Sequence, residues 1–171
     1  MSALSVLYLV LPFPLAFIIH DLEEMLFQHR WLVAHRESLS RRFPRMRFVI
    51  EHLSGLSTKA FAVAVLEELV VLLLATAYVL VGGRYAVEIW SALFIAFSVH
   101  LLVHLGQGLL VSGYVPGVIT SILMLPFGGY GDHSIWLVMS GWEMLMWGVI
   151  GVVVMVVNLR FAHWLGRRVV S

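Results

Sequence analysis

The sequence predicts an all-α integral membrane bundle: five transmembrane helices and one interfacial helix on the cytoplasmic side. Three observations carry that expectation. Apolar residues make up 61 % of the 171 residues and charged residues only 12 %, against about 45–50 % and about 25 % in soluble domains. Five segments approach the ~20 apolar residues that a spanning helix requires. Basic residues are confined, with one exception, to a single long link and the C-terminal tail. The same composition argues against a nucleic-acid binder, which needs a broad basic surface. The absence of cysteine excludes disulfides, thiolate metal sites and thiol nucleophiles.

The elements follow in order. The first span runs over about 3–28, with Pro12 and Pro14 expected to kink it. Residues 29–59 form the long cytoplasmic link and carry Arg30, Arg36, Arg41, Arg42, Arg45, Arg47 and Lys59. Inside that link Met46, Val49, Ile50 and Leu53 recur at helical spacing between charged neighbours. This predicts an amphipathic helix lying on the leaflet, its basic face toward anionic lipid; a solvated basic linker is the plainer reading. The second span covers about 60–81 and the third about 87–111. The fourth, about 115–127, is short and lies between Pro116 and Pro126, as a tilted or partial span. The fifth covers about 135–160. All belong to one membrane domain, 1–171. With five spans, the link and the tail (Arg160, Arg167, Arg168) share one side, and Arg84 lies on the other. The positive-inside rule places the C-terminus in the cytoplasm and the N-terminus outside. The start lacks the basic region and cleavage site of a signal peptide. No internal repeat supports an inverted-repeat transporter.

Ionisable residues at membrane depth are costly and mark function. His20, Glu23 and Glu24 lie at i, i+3 and i+4, so all three project toward one face. Glu67 and Glu68 follow in the second span, and His100 and His104 lie four apart in the third, a spacing that can present two imidazoles to one ion. Counting 1.5 Å per residue, His20, Glu67 and His104 each lie roughly 10–12 Å from the cytoplasmic boundary. The seven groups therefore reach one level. Interhelical hydrogen bonds of about 0.6–2 kcal/mol each do not offset four carboxylates at roughly 2.5–3.5 kcal/mol apiece. A divalent cation does so better. The expected primary ligands are His20, Glu23, Glu67, His100 and His104, with Glu24 and Glu68 as bridging ligands or the catalytic acid–base group. Imidazole and carboxylate donors without sulfur suit iron, manganese or zinc. Their number favours two ions of iron or manganese, with a single zinc as the alternative.

Other polar residues rank lower. Glu143 is expected to line a cavity or bond a neighbouring helix, Asp132 and His133 to sit solvated in a Gly-rich outer loop, and His29, His35, His52 and His163 to lie at the surface. Thr120 and Ser121 lie close enough to support the ligands, although capping is the commoner role for such hydroxyls.

The run His20-Asp21-Leu22-Glu23-Glu24 resembles the signature of the HXXEE-domain family, small bacterial multi-span membrane proteins. The resemblance extends to the Arg-rich link, His104 in the third span and the turn Tyr114-Val115-Pro116-Gly117. It implies a functional site at His20, Glu23 and Glu24 and brings no reaction with it. The combined expectation is a metalloenzyme of the bacterial inner membrane. Its partners would be membrane lipids and a lipidic or small apolar substrate, and a homo-oligomer is compatible with the sequence. Oxidative chemistry is slightly favoured over hydrolysis. The alternatives are a proton- or metal-ion-binding transporter and a metal-free Glu/His isomerase or cyclase.

Overall fold

The computed structural model describes residues 6–170, so the expected start of the first span near Ala3 lies outside the described residues. Everything described is helix, turn or short connection. After a π-helical turn over Val6–Val10, six α-helices follow: α1 (Pro12–Arg42), α2 (Arg47–Ser54), α3 (Thr58–Leu80), α4 (Ala86–Val111), α5 (Val118–Trp136) and α6 (Gly141–Val170). Three of them, α3, α4 and α6, are long and apolar enough to cross a membrane. In α1 the charges of Asp21, Glu23 and Glu24 break the apolar run, and in α5 glycines, Asp132 and His133 dilute it.

The helix bounds correct several expectations. Pro12 and Pro14 do not kink α1 but open it, because the first turn has no intrahelical use for their missing N–H groups. The long link is not a loop. α1, 31 residues long, continues into it as far as Arg42 and stops at Phe43, where the following Pro44 disfavours the helical conformation of the residue before it. Leu32 and Leu39 hold this extension down against Ile50 of α2, with Trp31, Leu53 and Val111 packed around them. The fourth segment runs to Trp136 rather than Phe127, passing through Pro126. Gly128 and Gly131 are buried in it, and a Cβ on Gly131 would run into the Phe94 ring of α4. Those glycines let α5 lie close on α4; they do not form a loop. The last helix begins at Gly141 and reaches Val170, ten residues beyond Arg160. Among the described residues Glu143 bonds Ser140 at the start of its own helix rather than a neighbouring helix. Its Oε2 accepts from the Ser140 N–H and hydroxyl while its own N–H donates to Ser140 Oγ, a capping arrangement that opens α6.

α6 packs on α3 and α4, α4 on α5, and α1 on α2, α3 and α5. Glycines set the closest approaches. A Cβ on Gly151 would meet the carbonyl of Ala92, and one on Gly166 the carbonyl of Ala60. At one end of the bundle Phe13, Trp90, Phe94 and Phe97 form an aromatic block, with ring centroids 4.9–5.9 Å apart. At the other end the basic segments meet. Arg42 donates to the carbonyl of Val111, and Arg167 to the carbonyl of His52. Between the two ends, α1 and α4 face each other across a cavity.

Candidate metal centre

One face of α1 looks into that cavity. Phe17, Asp21, Glu24, Gln28 and Trp31 line it at spacings of three and four, the period of a single helix face. α4 answers with Phe97, His100, His104 and Gln107, and α3 with Val65 and Glu68. The cavity holds about 470 Å³ and its walls are largely apolar. Met46, at the N-terminus of α2, and Val49, Ile50 and Leu53 within it also line the cavity. The stripe expected to lie on the leaflet thus roofs the cavity, while Phe48, 74 % exposed, points away from it.

Four groups converge at the cavity wall: Glu24, His100 and His104 line it, and His20 lies buried behind them. His20, Glu24, His100 and His104 each offer a ligand atom, all within 4.8 Å of one another. His104 Nε2 lies 3.1 Å from His100 Nε2 and 3.3 Å from Glu24 Oε1, and His100 Nε2 lies 3.7 Å from Glu24 Oε2. Donors bound to one ion at about 2.1 Å stand roughly 3.0 Å apart at octahedral corners and roughly 3.4 Å at tetrahedral ones. The observed separations, 3.1–3.7 Å, start at those edges and run slightly beyond them. His20, Glu24 and His104 are buried, and His20 is inaccessible to solvent.

The orientation of His20 is determined by a chain of bonds. Thr120 Oγ1 donates its one proton to Glu23 Oε2 at 2.6 Å and so accepts from His20 Nδ1 at 3.1 Å. That assigns the proton to Nδ1 and leaves the buried Nε2, which has no hydrogen-bond partner, with a free lone pair. An outer partner that orients an imidazole in this way is the usual companion of a metal-bound histidine. The Thr120 N–H, in the first turn of α5, also donates to Glu23 Oε2 at 2.8 Å. Replacing Thr120 by valine removes the shorter of these Glu23 bonds and, among the described residues, the partner of His20 Nδ1. The expected cost is about 1–3 kcal/mol, read as a fall in thermal midpoint of several degrees at roughly 2–4 °C per kcal/mol, with Thr120→Ser close to the wild type.

His104 is set by the turn between α4 and α5. Gly117, at φ +88°, lies so close to the ring that a Cβ there would come within 2.7 Å of His104 Cε1 and Nδ1.

A family model described as proteins of unknown function with an HXXEE motif matches residues 11–130. The chain belongs to the HXXEE family. The matched stretch contains all four converging residues and Thr120, and ends before α6. No curated protein and no solved structure matches the chain. The geometry separates the two glutamates of the HXXEE motif. Glu24 enters the cluster, and Glu23 turns to Thr120, which holds His20.

The remaining expected ligands are placed as follows. Glu67 is outside the group of four; its Oε2 accepts from Asn158 Nδ2 of α6 at 3.0 Å. Glu68 lines the cavity with a buried oxygen that has no partner. Asp21 was not singled out from the sequence, yet it is 4 % exposed, lines the cavity and has one unpartnered oxygen. Its i, i+3 relation to Glu24 was the available signal. The surface expectations for His163, Asp132, His29 and His52 fail for the same reason, the packing of neighbouring helices, with His52 half-buried. His163 is buried against Phe61, and Asp132 is half-buried with one oxygen lacking a partner. His29, half-buried, bonds the carbonyl of Leu56, whereas His35 and His133 are exposed.

Proposed function

We propose that this chain is an integral membrane metalloenzyme. In this reading His20, Glu24, His100 and His104 hold one divalent ion at the head of a cavity that takes a lipidic or other apolar substrate. The observation that carries it is the convergence of three imidazoles and one carboxylate, within 4.8 Å of one another, at the wall of a largely apolar cavity that three of the four line. Four protein ligands fill the tetrahedron of zinc, which is the pattern of closed structural sites. On six-coordinate iron or manganese they leave two positions open. The donor set therefore favours one iron or manganese ion, and redox or Lewis-acid chemistry over zinc hydrolysis. Glu68 and Asp21, beside the cluster with unpartnered oxygens, are the groups available to move protons to and from a substrate.

The bundle is read as five spans, with the first part of α1 and α5 embedded beside the three long apolar helices on which they pack. The basic end, where Arg42 and Arg167 anchor α1 and α2, then faces the cytoplasm of the bacterial inner membrane. The aromatic block fills the bundle on the far side of the cluster. That favours a dead-end substrate pocket over a transport path.

Elemental analysis of protein purified without added metal tests the proposal. About one iron or manganese per chain is the expected result. Absence of metal, with binding of added Fe²⁺ or Mn²⁺ no tighter than millimolar, would leave the metal-free acid–base enzyme as the better reading.

A further inference from the structure

The cavity has a second polar feature, at its basic end. His163 of α6 lines the cavity and is only 8 % exposed, yet its Nε2 has no partner. Its ring lies 5.7 Å from that of His52 on α2. Arg167, one turn further along α6, reaches over to His52 and donates to its carbonyl at 2.7 Å, with Nδ1 of the same residue at 3.2 Å. Arg160 adds a second positive charge near His52, whose pKa is held below its ordinary value by burial first and then by Arg167 and Arg160. Among the described residues neither arginine has a carboxylate within ion-pair distance. His163 lines the cavity, and the half-buried His52 and exposed Arg167 stand just beyond it, so positive charge lies next to an unpartnered buried imidazole at this end of the apolar cavity. That combination fits an anion carried on a hydrocarbon chain.

We propose that His163, His52 and Arg167 seat the anionic head group of a membrane lipid whose hydrocarbon chain runs along the cavity toward the His/Glu cluster. The inference rests on the proposed function and names the class of its substrate. The spacing suits it. The His163 ring meets Phe61 of α3 at 6.1 Å, and from Phe61 to Glu68 the helix rises about 10 Å. A head group at His163 would thus place the first several chain carbons, rather than the head itself, beside the cluster. A cavity of about 470 Å³ is of the size that holds one small ligand, about 300–1,000 Å³.

The test is native mass spectrometry of the full chain in neutral detergent, offered equal amounts of phosphatidylglycerol and phosphatidylcholine with the same chains. The metal content of each sample is measured alongside. The wild type is expected to retain the anionic lipid about tenfold over the zwitterionic one. Arg167→Gln and Arg160→Gln should each lower that preference severalfold, because each removes one positive charge near His52. Arg160 bonds nothing within the described chain, so its variant guards against loss of folding. His163→Phe leaves the surface charge almost unchanged and should also lower the preference. Equal retention of the two lipids overturns the proposal. So does a His163→Phe variant that behaves as wild type, which would reduce the effect to attraction of anionic lipid by surface charge. Displacement of the lipid by millimolar inorganic phosphate would overturn it in favour of a small-anion site. Loss of lipid preference with metal retained, or the reverse in His104→Ala, separates failure of the head-group seat from failure of the metal centre.

Discussion

His104→Ala is expected to lower metal affinity by more than about a hundredfold and to leave the purified protein without its ion. Even outer partners of a metal ligand are worth about 10–100-fold, and His104 stands closer than that. Its Nε2 lies nearest to both the His100 nitrogen and a Glu24 oxygen, so its removal opens two edges of the cluster together. His20→Ala should act alike, because His20 Nε2 has no hydrogen-bond partner to fall back on. The contrast is Glu67→Gln. Glu67 is bonded to Asn158 and stands outside the group of four, so this variant should keep its full metal content. Elemental analysis of the three variants beside the wild type is decisive. A metal-free E67Q protein together with a metal-replete H104A protein would mean that the ligands are those of another site.

Gly117→Ala should be nearly as severe, although Gly117 carries no chemistry. Two effects add. At φ +88° a residue with a Cβ is strained, at a cost of about 1–2 kcal/mol. The new Cβ also meets the His104 ring at 2.7 Å, closer than carbon atoms tolerate. The ring must turn or the α4–α5 turn must open, and either moves Nε2 away from Glu24. The expected outcome is a metal affinity about 10–100-fold lower, together with a lower thermal midpoint. A Gly113→Ala variant is the control, since a Cβ at that position meets nothing within 4 Å. If both variants bind metal like the wild type, the His104 ring is not held by this turn.

Much of the site was legible in the sequence because it rests on helical arithmetic. His20 with Glu24, and His100 with His104, are each one turn apart, and that spacing survives any arrangement of the helices around it. The level reached by α1 and α4 could also be counted, since the rise per residue is fixed. The rotation of each helix about its axis could not. Glu23 and Glu24 flank the direction of His20 almost equally, and only the position of α5 decides that Glu23 meets Thr120 while Glu24 meets the imidazoles. Glu67 and Glu68 divide in the same way, one toward Asn158 of α6 and the other toward the cavity.

The basic link misled for a related reason. Charge density suggested an exposed loop, but nothing before Pro44 stops α1, and a few apolar residues, Leu32 and Leu39 among them, are enough to dock its extension on α2. The glycines of α5 misled too. Gly128 and Gly131 read as a loop until α4 stands against them and the Phe94 ring occupies the space of the missing side chain.

The sequence alone determined the helical class, the spacing of the histidines and the gathering of basic charge, all of which depend on residues near one another along a single chain segment. Only the tertiary structure decided which carboxylate enters the cluster, what orients His20, and that His163 is buried at the end of an apolar cavity. Those outcomes depend on contacts such as the one from α1 to Thr120, 100 residues away. A periodicity says which face a residue occupies, and the packing of the other helices says what that face meets.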